Sequence, residues 1–387
     1  MRTRPALVVR GPFRGYSGHD RHTRAFARHL VAAGVRVQLV DLPEWSPLRL
    51  PSRALDAWFE RQSRAVTASA VLHFCMPHQV RADPSRLNVN YTMFEGSRIP
   101  ASWAAASRTH DLVIVPTASS RAAWLAAGVP ARRVAVSPLG VDADAFRPGV
   151  RALAIADGRG GDVSRYRARF LNVSASGARK NVGGLVRAWL RATRHDDDAV
   201  LVLKRSYGAG ETIVALMAEI ARAERDVGRT LASSAAMVVE GRALPDAAMP
   251  ALFAAATHYV SLSRGEGWDQ PMCEAGASGL AVIAPRHTAY RAYLDDRVAW
   301  LLPARRVPAA VGARDPTGTL FAGVDWWEPD EDAAVAAIRR AIDHPERRKS
   351  GLRRRLVTRF SWTRATRRLL GLLRGLHRER GLRFDVA

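Results

Sequence analysis

Short apolar runs recur along this chain at intervals that leave room for a helix between each pair, and this rhythm constrains the fold more than any other feature. In the first half the runs are residues 5–10, Val35 to Val40, Val71 to Phe74, Leu87 to Tyr91, Leu112 to Pro116 and Val134 to Pro138. The stretches between them carry helical patterning, as around Phe26, Leu30 and Val31. Strands that alternate with helices and read as continuous apolar runs are buried on both faces, so a parallel sheet is expected. The rhythm stops at an arginine- and glycine-rich interval, Gly149 to Arg167, and resumes at Phe170 to Ser174, Val200 to Leu203, Met237 to Glu240, Thr257 to Leu262 and Leu280 to Ala284. No internal duplication is visible, yet two Rossmann-like halves fit the pattern. With 387 residues, 48% of them hydrophobic, each half can bury its own core.

The densest chemistry lies late in the second series, at Ser261-Leu-Ser-Arg-Gly-Glu266-Gly-Trp-Asp-Gln-Pro-Met-Cys-Glu274-Ala-Gly. It reads as strand, loop, then a helix with Pro271 in its first turn. Two carboxylates are expected at that helix N-terminus, where unpaired N–H groups and a positive dipole suit a phosphorylated ligand while Glu266 and Glu274 accept hydrogen bonds from its hydroxyls. Taken alone, Glu274 also reads as a solvated helix charge. Upstream, Asn172 to Leu190 runs from strand to helix with Arg179 and Lys180 in the loop, and Lys204 ends the next strand. Such cations could stabilise charge on a departing diphosphate. Gly15 and Gly18 follow the first strand, where glycine admits close approach of a ligand and leaves N–H groups free at a helix start. A plain turn explains the same pair, and the full dinucleotide fingerprint is missing. The loop Tyr91 to Trp103 follows another strand and offers Glu95, a candidate sugar or acceptor ligand or a helix cap.

These segments resemble the retaining GT-B glycosyltransferases of the large family 4, whose signature sets two Glu residues eight positions apart before Ala, a small residue and Gly. Ser137 to Pro148 matches the Pro-x-Gly-Val-Asp phrase that closes that family's first domain, a structural element. The resemblance implies an α/β protein of two Rossmann-like domains facing a cleft. It places an N-terminal acceptor domain at 1–148, a linker at 149–168, a nucleotide-sugar donor domain at 169–358, and a helix at 359–387 that returns to the N-terminal domain. It implies that a hexose moves from a nucleoside diphosphate sugar to a glycan, lipid-linked or small-molecule acceptor with retention of configuration. Glu274 would hold the ribose and Glu266 the sugar, with Gly267, Trp268 and Asp269 lining the donor. Lys180 would stabilise the diphosphate, and Gly15 and Gly18 would form the loop beneath it. Two departures stand out. Trp268-Asp269-Gln270 replaces an aromatic, Gly and Leu, and the family's Arg before the Lys is absent, with Ala175 near its place; Arg179 or Lys204 would supply the second cation. Those departures leave open a GT-B protein that binds nucleotide sugars without turning them over.

No metal or other cofactor is expected. Asp196-Asp-Asp198 lies where a polar connector belongs, and Cys75 and Cys273 have no metal-ligand or disulfide spacing. The formal charge of +23 would attract phosphates, nucleic acid or an anionic membrane face. The lysines are Lys180, Lys204 and Lys349 alone, so this is arginine charge, densest at 347–359, and no nucleic-acid motif accompanies it. No specific nucleic acid is expected as a partner. No apolar run approaches the ~18 residues of a membrane span, and the N-terminal run is too short for a signal peptide. A cytoplasmic protein is expected, with peripheral contact at the inner membrane face admitted by its charge.

Overall fold

The computed structural model describes all residues except 1–4, 46–48, 176, 206–209, 313–317, 347–348, 383 and 385–387. Arg347 and Arg348 of the basic cluster therefore lie outside the described residues. The chain divides into two compact units, one of residues 1–140 with 359–387, the other of residues 141–358.

The first unit is built on a six-stranded sheet in the order β2-β1-β3-β4-β5-β6, formed by β1 (Ala6–Gly11), β2 (Arg36–Asp41), β3 (Ala70–Phe74), β4 (Leu87–Tyr91), β5 (Leu112–Val115) and β6 (Val134–Val136). All its pairings are parallel. Strands β1, β3, β4 and β5 are buried throughout; β5 is wholly apolar, while Arg10, His73, Asn88 and Asn90 are buried polar side chains within the other three. The last helix of this unit, Trp362–Glu379, starts at the Ser361 N-cap and packs Trp362 edge-on against Phe26 of the Gly18–Ala32 helix, ring centroids 5.2 Å apart. Gly140, in the Pro-x-Gly-Val-Asp phrase, meets this helix so closely that an added Cβ would collide with the Trp362 backbone.

The second sheet runs β12-β11-β10-β7-β8-β9, from β7 (Ala168–Ser174), β8 (Ala199–Arg205), β9 (Ala236–Glu240), β10 (His258–Val260), β11 (Ala281–Pro285) and β12 (Trp300–Leu302). It too is wholly parallel. Its strand order reverses between β7 and β10, the arrangement of a doubly wound nucleotide-binding sheet. An antiparallel hairpin of β13 (Ala304–Pro308) and β14 (Asp325–Pro329) follows, which the apolar rhythm does not reveal because its strands are half exposed and carry Arg, Asp and Glu.

The interval 149–168, expected as a linker, is instead folded against the second unit. Asp157 accepts the N–H groups of Arg159 and Gly161, and Asp162 accepts those of Ile155 and Ser164, so the glycine-rich run forms a defined turn. Ile155, Val163 and Tyr166 are buried beneath it. The unit boundary accordingly falls at 140/141 rather than 148. Asp196-Asp-Asp198 is the connector between the Val182–Ala192 helix and β8, with Asp197 paired to Arg339 at 2.7 Å and Asp198 accepting from the Arg167 N–H. Among the described residues no helix is long and apolar enough to cross a membrane, and no group of three or more His, Cys, Asp or Glu is placed to hold a metal.

Candidate functional site

The reversal of strand order puts the carboxyl ends of β7 and β10 side by side, and the loops that leave them have no crossover between them to fill the space. The loop after β7 carries Arg179 and Lys180 and ends at Asn181, the N-cap of the Val182–Ala192 helix. The loop after β10 carries Glu266 to Trp268 and ends at Asp269, the N-cap of the Gln270–Ala277 helix. Lys180 Nζ donates to Glu266 Oε1 at 2.6 Å, and the Arg179 guanidinium lies 3.3 Å from the other oxygen. Arg179 also donates to the Gly265 carbonyl at 2.6 Å. Burial alone would raise the Glu266 pKa, but Lys180, Arg179 and hydrogen bonds from Lys180 and Ser263 outweigh it and hold the carboxyl at about 2. The result is an ionised, almost fully enclosed carboxylate facing two cations that keep partial contact with solvent.

The backbone here is strained. Among the described residues the only non-glycine positions with positive φ are Asn181 at 51°, Asp269 at 59° and Thr288 at 39°. Asn181 and Asp269 are the two helix caps, and Thr288 Oγ1 accepts the Glu266 N–H at 3.1 Å. Such conformations cost about 1–3 kcal/mol each and persist only where surrounding bonds over-determine them. Those bonds are present. His287 bridges Thr288 Oγ1 and the Ser263 carbonyl at 2.8 and 2.7 Å, and Arg264 pairs with Glu328 of β14. Burial lowers the His287 pKa to about 4, so the bridge is made by a neutral ring at neutral pH.

Asp269 does not extend into open space as a sugar-side group. Its carboxylate accepts from the Met272 N–H at 3.4 Å and from the Tyr290 hydroxyl at 2.7 Å, because its αL backbone turns the side chain back over the helix end. Burial, then repulsion from Glu266, raises its pKa to about 7 against the opposing effect of Lys180 and its hydrogen bonds. Trp268, expected beside the donor, is 1% exposed, with its ring against Tyr293 and its carbonyl accepting from the Tyr293 hydroxyl at 2.8 Å. Its indole is core, placed there by a turn that needs an apolar anchor, and Gly267 links it to Glu266. Glu274 is not in the first helical turn; it occupies the fifth position of the Gln270–Ala277 helix and is 2% exposed. A solvated helix charge is thus the wrong description of it. Cys273 is buried, and burial pushes its thiol pKa well up, which removes thiolate chemistry.

Lys204 is at the β8 end, as expected, but Nζ donates to the carbonyls of Arg205 and Arg242, each at 2.8 Å. Burial lowers its pKa to about 8. The neighbouring Arg205, not singled out from sequence, reaches across to Ser174 Oγ and the Ala175 carbonyl at 3.0 and 3.1 Å, fixing the start of the Lys180 loop. Its place beside Lys204 at a parallel strand end was the available signal.

In the first unit, Gly15 and Gly18 follow β1, at the point where that sheet's order reverses between β1 and β3. The Gly15 N–H is not free for a ligand, however: Asp20, wholly buried, accepts it at 2.7 Å and also accepts the Ser17 N–H at 3.2 Å. The acidic third residue of the helix closes a capping box that sequence spacing alone does not distinguish from an open glycine loop. A Cβ on Gly18 would meet nothing within 4 Å. Glu95 lies half-buried in the loop after β4.

No protein-family model matches the sequence, and no curated protein matches it. Solved structures do match along nearly its whole length. The sucrose-phosphate synthase of Thermosynechococcus elongatus is 16% identical with a TM-score of 0.64, over 97% of this chain and 100% of that one. The Anabaena protein HepE, solved with UDP-glucose, is 13% identical with a TM-score of 0.63, over 96% and 99%. The lipopolysaccharide outer core galactosyltransferase WaaB is 12% identical with a TM-score of 0.56, over 96% and 99%. The chain has the fold of these proteins, the two-unit GT-B fold.

Proposed function

We propose that the protein is a glycosyltransferase that moves a hexose from a nucleoside diphosphate sugar to a saccharide, lipid-linked or small-molecule hydroxyl with retention of anomeric configuration. The observation that carries this reading is the Lys180–Glu266 pair at the strand-order reversal of the second sheet, flanked by two capped helix N-termini and by buried Glu274. A diphosphate there meets two cations and the positive helix ends, and the carboxylates of Glu266 and Glu274 are acceptors of the kind that hydroxyls of ribose and sugar require. In the reaction the bond from the anomeric carbon to the diphosphate oxygen breaks and a bond to the acceptor oxygen forms on the same face. The acceptor proton passes to the departing diphosphate. Lys180 and Arg179 stabilise the charge that grows on that leaving group, and Glu266 and Glu274 hold the sugar and ribose in place. Lys204, fastened to two carbonyls, is a positioning residue in this scheme. The UDP-glucose bound to HepE and the galactosyl transfer named for WaaB support a hexose donor. No metal takes part, and turnover is expected to survive a chelator.

The test is a thermal-shift panel of UDP, GDP, ADP and their hexose conjugates, followed by product analysis with mixed acceptors. A bound donor at about 100 times its Kd should stabilise the fold by ~2.7 kcal/mol. The reading fails if no nucleotide raises the melting temperature at millimolar concentration. Net inversion in the product would remove the retaining mechanism alone.

A further inference from the structure

The Trp362–Glu379 helix buries Trp362, Ala365, Thr366, Leu369, Leu370, Leu373, Leu376 and His377 along one side. Its opposite side carries Arg364, Arg367, Arg368, Arg374 and Arg378, all exposed. At about 100° per residue these five fall within an arc of roughly 120°, spread along about 21 Å of helix. None of the five forms an ion pair among the described residues. In the second unit some helical arginines are paired instead: Arg187 and Arg191 of the Val182–Ala192 helix with Glu331 and Asp332 of the Glu331–Asp343 helix, and Arg339 with Asp343 one turn along its own helix.

This face works against its own helix in two ways. Arg364 with Arg367 and Arg368, and Arg374 with Arg378, are like charges at helical neighbour spacing, which disfavours the helix. Gly371 and Gly375 lie in the same arc, where a Cβ would meet nothing within 4 Å, so no packing within the chain requires glycine there. A close-approaching partner of opposite charge accounts for both features. The ladder lies along the exposed side of a single helix, and no aromatic side chain lies within its arc, which disfavours stacking on nucleic-acid bases. A flat layer of anionic headgroups fits it.

We propose that this arginine ladder docks the protein on a bilayer containing anionic phospholipids. The docking is peripheral, since the apolar side of the helix is already occupied by the Gly18–Ala32 helix and its surroundings. It stands independently of the proposed glycosyl transfer.

The experiment is co-sedimentation of the full chain with vesicles of equal parts phosphatidylglycerol and phosphatidylcholine, and with pure phosphatidylcholine, at ~0.1 M salt where surface charge still acts over about 10 Å. The triple variant Arg367→Gln, Arg368→Gln, Arg374→Gln should lose on the order of a hundredfold in affinity for the anionic vesicles. A control that removes the same charge from exposed sites elsewhere, Arg132→Gln, Arg297→Gln, Arg305→Gln, should lose no more than a few-fold. Unchanged near-ultraviolet circular dichroism establishes that both variants are folded. The proposal is overturned by equal loss in the control, by equal binding to neutral vesicles, or by a ladder-dependent affinity for duplex DNA with none for vesicles.

Discussion

Removing the anion from the candidate site should harm the fold more than removing the better placed of its two cations. Lys180 and Arg179 approach Glu266 at 2.6 and 3.3 Å, and the three side chains are 18%, 22% and 6% exposed. At roughly 3 Å and an effective dielectric near 20, each attraction is worth about 5 kcal/mol before desolvation is subtracted. In Lys180→Met the carboxylate keeps Arg179 and its Ser263 hydrogen bond, so the net loss is about 1–2 kcal/mol. In Glu266→Gln two adjacent cations face each other with a neutral amide between them, and the loss rises to about 3–4 kcal/mol. For a unit of this size these correspond to falls of about 4 °C and about 10 °C in melting temperature. Differential scanning calorimetry without ligand measures both. Saturating nucleoside diphosphate should then narrow the gap, because its phosphates replace the missing carboxylate between the cations. Equal losses in the two variants, or a gap that nucleotide leaves untouched, would refute the reasoning.

Three further outcomes are expected. Asp269→Asn retains a side chain that can cap the helix and adopt αL backbone, but it does not titrate. Because the raised pKa of Asp269, about 7, makes the folded state bind a proton that the unfolded chain has released, wild-type stability should fall from pH 5 to pH 8, and the variant should gain on it across that window; unfolding titrations showing a flat difference would exclude this. Glu274→Ala should weaken nucleotide binding about 10- to 100-fold, the worth of a charged hydrogen bond, and unchanged calorimetric titrations with UDP, GDP and ADP would sink its ribose role. Gly140→Ala drives a Cβ into the Trp362 backbone and within 2.7 Å of its ring, so it should destabilise the first unit by ~3 kcal/mol, and a wild-type denaturation midpoint would contradict the close approach.

The parts of this molecule that depend on local pattern were legible in its sequence. Leu87 to Tyr91 is a strand over the very residues expected to form it, and β7, β8 and β9 extend their runs by only one or two residues at one end or both. Ser361 and Pro271 mark helix starts where cap and first-turn chemistry requires them. What local pattern cannot report is where a side chain points once loops from distant segments meet. Glu274 was readable as a solvated charge until the helix register placed it in the second turn and inside. Asp269 and Trp268 share the site loop with Glu266, yet an αL turn sends one back over a helix and the other into the core. Lys204 had the expected position, but the carbonyls of Arg205 and Arg242 took its ammonium. Asp20 closed a glycine loop whose pattern fitted both a ligand loop and a plain turn. Residues 149–168 became a folded part of the second unit because Asp157 and Asp162 supplied the acceptors that a glycine-rich run lacks. By itself the sequence determined two parallel sheets and the loops that bear charge, since periodic burial is written residue by residue. Only the tertiary structure decided which of those charges face one another, because Lys180 and Glu266 are joined by a strand order that no single segment encodes.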